Sequence, residues 1–405
     1  MPSSTKVHST VTQTHEIAGR RYDTAEAVSI TITNDRIEAI RPLAAPSQQN
    51  LPWIAPALVD IQINGFGGQE FSSPDLTPEA VARVVRQQFA AGVARLCPTL
   101  TTNSHAVLRH GMEMIAAACD RWPDVNRAVI GIHLEGPYFS TEDGPRGAHP
   151  AEHCRQPDWD ELTALQIAAG GRLKILTMSP EFDSAPQFIR NATAAGVLVA
   201  IGHTGATGAQ IRAAVDAGAR LSTHLGNGAH RTLRRHPNYI WDQLAEDRLW
   251  ASLIVDGHHL PGEVVQTFVR AKTPERCLLV SDLSGLAGLP PGRYPSSGCE
   301  LEILTDGRLV IAGQDQLLAG ASQPLHLGIA NLMRFAGLDL KTAVGLATSQ
   351  PAVLLDKPEV AELRDGAAAD LIVFELPADL QRAGASKQQD GLRILKTVIA
   401  GREVL

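Results

Sequence analysis

The chain has 405 residues, of which 44% are hydrophobic and 20% charged, with a formal net charge of −7. That is a soluble composition with material for a sizeable core, long enough for a large α/β domain of about 250–300 residues plus a smaller module. The acidic balance argues against nucleic acid as the main partner, and no run reaches the roughly 18 apolar residues of a membrane span.

The opening stretch, MPSSTKVHSTVTQTHE, is polar and lacks the apolar centre of a signal peptide. The five cysteines, Cys97, Cys119, Cys154, Cys277 and Cys299, are odd in number, widely spaced and without a C-x-x-C pair. They read as free thiols in a reducing compartment, and a cytoplasmic protein is expected.

Short strands come first. AVSITITNDRIEAIRPL alternates, with a turn at Asn34-Asp35, and DLIVFEL and LKTVIAGREVL near the other end have the same β character. Between them, short apolar strands alternate with helical stretches. The strands are ALVDIQI, ARLCPT, AVIGIHLE, LKILTMS, VLVAIGH, ARLSTH, ASLIVDG and CLLVSD. In the helical stretch PEAVARVVRQQFAAG, Val81, Val84, Val85 and Phe89 approximate an i, i+3, i+4 stripe. Eight strands in this alternation predict an α/β fold built on a (β/α)8 TIM-like barrel, with a doubly wound open sheet as the competitor. Strand count and length favour the barrel, and the barrel domain is placed at residues 55–362.

Polar residues gather where the strands end. Strand 1 ends in Gln62 and Asn64, and strand 3 in His133 and Glu135. Strand 5 ends in His203 and strand 6 in His224. Strand 7 ends near Asp256 and His259, and strand 8 in Asp282. The C-terminal strand ends of a barrel meet at one mouth, where catalysis sits, so these distant residues are expected to converge.

Glu135, His203 and His224 offer one carboxylate and two imidazoles. That set suits a single divalent ion, Zn²⁺ first and Fe²⁺ or Co²⁺ as alternatives, with a position left for water. Singly, each also reads as a satisfied structural residue. His133 is expected to support the ligands from behind, and the amides of Gln62 and Asn64 to hydrogen-bond within the mouth. Asp282 follows an apolar strand and reads either as a helix N-cap or as the general base for a metal-activated water, the latter favoured by its position. His149, in GPRGAHP, reads as an exposed loop histidine or as a group that polarises a substrate carbonyl. NGAHRTLRRHPN carries Arg231, Arg234 and Arg235, either a solvated loop or an anion site.

The stretches APALVDIQINGFGG, GIHLEGPYFS, RGAHP, AIGHTGAT, STHLGNGA, LIVDGHHL, LLVSD and GAAADLIVFEL together resemble the amidohydrolase superfamily. Within it they are similar to the N-acetylglucosamine-6-phosphate deacetylases, in order and over nearly the whole chain. Gln62-Ile63-Asn64 stands where most of the superfamily has His-x-His, as in the single-metal deacetylases. The resemblance implies a barrel with a small β-sandwich domain made from residues 1–54 and 363–405. It implies metal binding by Glu135, His203 and His224. Asp282 would activate water and protonate the leaving amine, and His149 would polarise the acetyl carbonyl. Ala148, Asn227, Gly228, Arg235 and His259 would bind an amino-sugar phosphate, Arg235 across a homodimer interface. THLGNGAH departs from the usual THLYNAM, and RTLRRHPNYIWDQ from the usual Pro/Gly-rich loop, so the substrate-gripping segment is altered. The implied reaction is deacetylation of N-acetylglucosamine 6-phosphate. The alternatives are the galactosamine epimer, a non-phosphorylated sugar, another amide hydrolase, or an inactive binding protein. No nucleic acid or membrane partner is expected.

Overall fold

The computed structural model describes residues 13–44, 50–296, 299–313, 318–381 and 390–405. The polar opening stretch as far as Thr12 and the side chain of Cys299 lie outside the described residues. Cys97, Cys119, Cys154 and Cys277 are unpaired, as read from their spacing. Among the described residues no helix is long and apolar enough to cross a membrane.

The predicted barrel is present. Its strands, in chain order, are Leu58–Ile63, Val93–Thr101, Ile132–Glu135, Leu173–Met178, Leu198–Ile201, Leu221–Ser222, Trp250–Leu253 and Cys277–Leu279, numbered 1 to 8 here. Each pairs in parallel with the next. Strand 8 returns to strand 1 through a parallel bridge between Ile63 and Leu283, where the Asp282 N–H donates to the Gln62 carbonyl at 2.9 Å. Alternation sorts the side chains. Val59, Ile61, Cys97, Ile175, Ala200 and Leu278 belong to one buried cluster filling the barrel, while Leu58, Leu96, Leu134, Leu176 and Leu279 join the larger cluster under the helices.

The helix Pro78–Ala90 shows how the sequence builds that outer layer. Thr77 caps it by accepting from the Ala80 N–H at 3.2 Å, proline occupies its first turn, and Val81, Val84, Val85 and Phe89 are buried on one face.

The two ends of the chain share a seven-stranded sheet. Its order is Arg402–Glu403, Arg393–Ile399, Leu371–Glu375, Trp53–Pro56, Thr14–Arg21, Ala27–Thr33 and Arg36–Pro42. Its junction with the barrel is electrostatic as well as apolar. Buried Asp370 receives Arg95 and, at 3.0 Å, Arg127, and also accepts from the Ala400 N–H at 2.7 Å.

One element was not anticipated. Gly292–Ser296, Cys299–Ile303 and Leu309–Ile311 form a three-stranded antiparallel sheet between strand 8 and the helix Leu325–Ala336. Leu301, Ile303 and Leu309 form its small core, packed with Leu286, Leu289 and Ala319.

Candidate active site

The barrel mouth collects the strand-end residues as the sequence pattern predicts. Glu135, His203, His224 and Asp282 are all buried, although carboxylates are seldom buried without partners. The Nε2 atom of His224 lies 2.9 Å from Glu135 Oε1, and that of His203 lies 3.2 Å from the same oxygen. The two Nε2 atoms are 3.1 Å apart. His149 adds a further Nε2, 3.2 Å from that of His203.

The surroundings aim these atoms. His203 Nδ1 lies 2.9 Å from the Pro145 carbonyl, which fixes the proton on that nitrogen and leaves Nε2 with its lone pair toward the site. Gly147 and Gly228 both have positive φ and crowd the same ring: a Cβ on Gly228 would lie 2.6 Å from His203 Nδ1, and one on Gly147 would lie 3.2 Å from its Cε1. The backbone itself is bent to the task. His203, His224 and Asp282 have φ of 50°, 29° and 51°, a conformation that costs on the order of 1–3 kcal/mol each and clusters at functional sites.

The donor set fits a divalent cation. Two bare imidazole nitrogens that face one another can share only one proton, and three nitrogens and a carboxylate oxygen crowd here. His149 Nδ1 and His224 Nδ1 are buried without a hydrogen-bond partner among the described residues. Glu135, His149 and His203 form a candidate metal-holding group in which all the ligand atoms lie within 4.8 Å of one another. His224 is the third residue that the sequence assigned, and its Nε2 has the shorter approach to Glu135.

Two amides tie this cluster to Asp282. Gln62 Nε2 donates to Glu135 Oε1 at 3.0 Å and to Asp282 Oδ1 at 3.2 Å, and Asn64 Nδ2 donates to the same Asp282 oxygen at 2.8 Å. Burial pushes Glu135 up, but His203 and His224 outweigh it and hold the group well below the usual carboxylate range. Asp282 moves the other way, pushed to about 6 by burial and by the Glu135 charge against the opposing pull of His224 and Asn64. Two neighbouring carboxylates driven apart in this manner suit division of labour between ligand and base. Asp282 does not cap a helix.

His133 stays outside the cluster. Its Nδ1 faces the Ile61 carbonyl at 3.1 Å and its Nε2 the Thr177 hydroxyl at 2.7 Å, so neither nitrogen is available to an ion. Burial holds its pKa down at about 4. His149 is buried and lines the cavity, which removes the exposed-loop reading. Burial, then His203, pushes it down to about 3.

Above the cluster opens a cavity of about 620 Å³. Ala148, Asn227, Gly228 and His259 line it, as the sequence assigned. His259 is well set: Asp256 Oδ2 lies 2.7 Å from its Nδ1, and Asp256 Oδ1 accepts the His258 and His259 N–H groups at 2.8 and 2.9 Å. Against burial, that His259 pairing pulls Asp256 down to about 2. Arg235 is exposed and does not line the cavity of its own chain, whereas Arg231 does. Sequence reasoning missed Glu70, His258, Arg308 and the Leu318-Ala319-Gly320 turn, all of which line the same cavity.

The amidohydrolase family profile matches residues 53–404. The chain belongs to the amidohydrolase family. Relatives in this metal-dependent family include the N-acetylgalactosamine-6-phosphate deacetylase of Escherichia coli O157:H7, 30% identical over 91% of this chain and 97% of that protein. The human N-acetylglucosamine-6-phosphate deacetylase is 31% identical over 87% of this chain and 83% of its own length. Among solved structures, a point mutant of N-acetyl-D-glucosamine-6-phosphate deacetylase from Mycobacterium smegmatis, in complex with N-acetyl-D-glucosamine-6-phosphate, superposes with a TM-score of 0.83. It is 29% identical, and the match covers 97% of this chain and 99% of that one. As an amidohydrolase, the chain is a hydrolase whose barrel mouth carries the expected donors.

Proposed function

We propose that this amidohydrolase removes acetate from an N-acetylated amino-sugar phosphate, N-acetylglucosamine 6-phosphate first. One observation carries the reading: Glu135, His203 and His224 converge to hydrogen-bonding distance of one another, and Asp282 is held beside them through Gln62 and Asn64. Relatives of both epimeric specificities support the reaction class.

In this proposal Glu135, His203 and His224 hold one divalent ion, Zn²⁺ by the preference of a carboxylate-imidazole set. When bound, that ion supplies Lewis acidity at the point where water and the acetyl oxygen meet. Asp282 accepts a proton from the attacking water and returns it to the departing amine nitrogen, a role suited to a carboxylate with pKa about 6. His149, neutral because burial depresses it, donates toward the acetyl oxygen as negative charge develops there. Collapse breaks the C–N bond and leaves acetate and the free amino sugar phosphate.

Asn227, the Gly228 backbone, Ala148 and His259 grip the sugar phosphate. Arg235 reaches it from a second copy of the chain, consistent with its exposed position away from its own cavity. The protein acts in the cytoplasm as a homodimer.

An acetate-release assay over N-acetylhexosamines with and without 6-phosphate, with divalent ions added, tests the reading. Turnover restricted to phosphorylated substrates is expected. Equal turnover of unphosphorylated sugars would remove the phosphate assignment, and no turnover of any member would remove deacetylation. The second reading, the galactosamine epimer, is favoured by the Escherichia coli relative and is decided in the same assay.

A further inference from the structure

Glu70 is a carboxylate for which the proposed deacetylation assigns no task. It sits at the end of a tight two-stranded hairpin, Gly65–Phe66 with Gln69–Glu70, immediately after strand 1, and it lines the cavity. The hairpin is clamped against the segment that follows Asp282. A Cβ on Gly65 would lie 2.8 Å from the Gly285 Cα, and one on Gly285 would lie 2.7 Å from the Glu70 carboxyl carbon. Only glycine at both positions allows this approach.

The two oxygens of Glu70 are used differently. Oε1 accepts from the Gly285 N–H at 2.7 Å and from the Ser284 hydroxyl at 3.1 Å. Oε2 has no hydrogen-bond partner among the described residues. Ser284 Oγ meanwhile accepts from the Leu286 N–H at 3.2 Å. One half of the carboxyl is thus fixed to the scaffold two residues beyond Asp282, and the other half is unspent.

The chemistry of a ligand for that oxygen follows from its position. Carboxylates Glu70 and Asp282 stand on the strand 1 and strand 8 side of the cavity, where Arg308 of the inserted sheet is paired with Asp306, while Arg231, His258 and His259 line it from the loops after strands 6 and 7. An anionic group is repelled from the first side and attracted to the second. In a 2-acetamido sugar oriented that way, with its amide at Asp282, the C3 hydroxyl stands next to the reacting nitrogen and the C4 hydroxyl one carbon further, both within one ring width. Burial, with a smaller contribution from Asp282, raises Glu70 to about 7 against the pull of Gly285 and Ser284, so its open oxygen can pair with a hydroxyl as acceptor or as donor.

We infer that Glu70 is a specificity-determining residue whose Oε2 hydrogen-bonds the C4 hydroxyl of the substrate and so reads the carbon at which the glucosamine and galactosamine epimers differ. This inference rests on the deacetylase reading proposed above. It supplies what that reading leaves open, a side chain that distinguishes epimers.

The test compares wild type with Glu70→Gln, which keeps an oxygen for Gly285 and Ser284 but changes the group facing the cavity. The panel contains the 6-phosphates of N-acetylglucosamine and N-acetylgalactosamine and the 3-deoxy and 4-deoxy forms of the first. Melting temperature and metal content are measured alongside. The expected result is a loss of about tenfold or more in kcat/KM on the epimer that wild type prefers. The 4-deoxy compound, which lacks the hydroxyl in question, should change less than about twofold, with melting temperature and metal content unchanged. An equal fall across the panel would assign Glu70 to the scaffold alone and overturn the inference, as would no change on any member. Wild type inactive on every compound would overturn the deacetylase reading itself, an outcome visible before any variant is made. Ser284→Ala, which loosens the clamp but leaves Oε2 in place, should lower all members by one factor. A selective loss in that variant instead would move the reading role away from Glu70.

Discussion

The two sides of the barrel mouth were assembled in different ways. The proposed metal side takes Glu135 from the end of strand 3 and His203 and His224 from two residues beyond strands 5 and 6, so strand register and a left-handed turn after two of the strands bring them together. The proposed substrate side is built from the loops after strands 6 and 7, the Gly65–Glu70 hairpin and the inserted sheet that carries Leu301, Arg308 and Ile311. Regular elements fix chemistry that tolerates little displacement, and irregular ones carry selectivity, which differs from relative to relative.

The sharpest way to break this comparison is to remove a donor from the metal side. His203→Ala should abolish stoichiometric metal binding and reduce turnover by about a thousandfold or more; retained metal with near-normal rate would show that His203 is not a ligand. Next in size, Asp282→Asn should keep its metal and lose about 10²–10⁴-fold in kcat, read by steady-state kinetics beside elemental analysis. The same residue sets an acidic limb. Asp282 must be ionised to act as base, so activity falls as pH drops through its pKa. With the group at about 6 before any cation is counted, and a bound cation lowering it, the limb in a pH–kcat/KM profile lies at or below about pH 6.

On the substrate side the effects are smaller and selective. Arg235→Ala should raise KM for a phosphorylated sugar by about tenfold or more and leave an unphosphorylated one within about twofold. Equal changes in the two KM values would remove Arg235 from the phosphate grip. The smallest effect belongs to the scaffold behind both sides. Thr77→Ala removes one helix cap and should cost about 1 kcal/mol in a denaturant titration without altering kinetics.

The convergence of Glu135, His203, His224 and Asp282 was legible in the sequence because strand-end polarity encodes it. Val59 and Ile61 alternate into the barrel, Gln62 also reaches the mouth at the irregular register between Asp60 and Ile63, and Glu135 follows Leu134 at the end of a buried strand. His133 was separable from Glu135 because both of its ring nitrogens find partners, Ile61 and Thr177, on other barrel strands. Less of the substrate side was legible. Glu70 follows a Gly-Gly turn, and its role depends on a contact with Gly285, 215 positions away, which no local pattern announces. That Arg231, and not Arg235, lines the cavity of its own chain depends on loop geometry between His230 and Tyr239, where no periodicity exists to read. The inserted sheet was missed because GRYPS and CELEI are short, and they follow a strand already counted as the last of the barrel. The positive φ at His203, His224 and Asp282 also leaves no trace in the letters, since none of the three is glycine.

One cation shared by three strands is the centre of the proposed chemistry. Anomalous diffraction at the zinc absorption edge, on crystals of the purified protein, measures this directly. The prediction is one strong peak per chain within coordination distance of Glu135, His203 and His224, about 2.0–2.2 Å from their donor atoms. A peak lying elsewhere, or a metal-loaded and active protein with no peak between those three side chains, would contradict it.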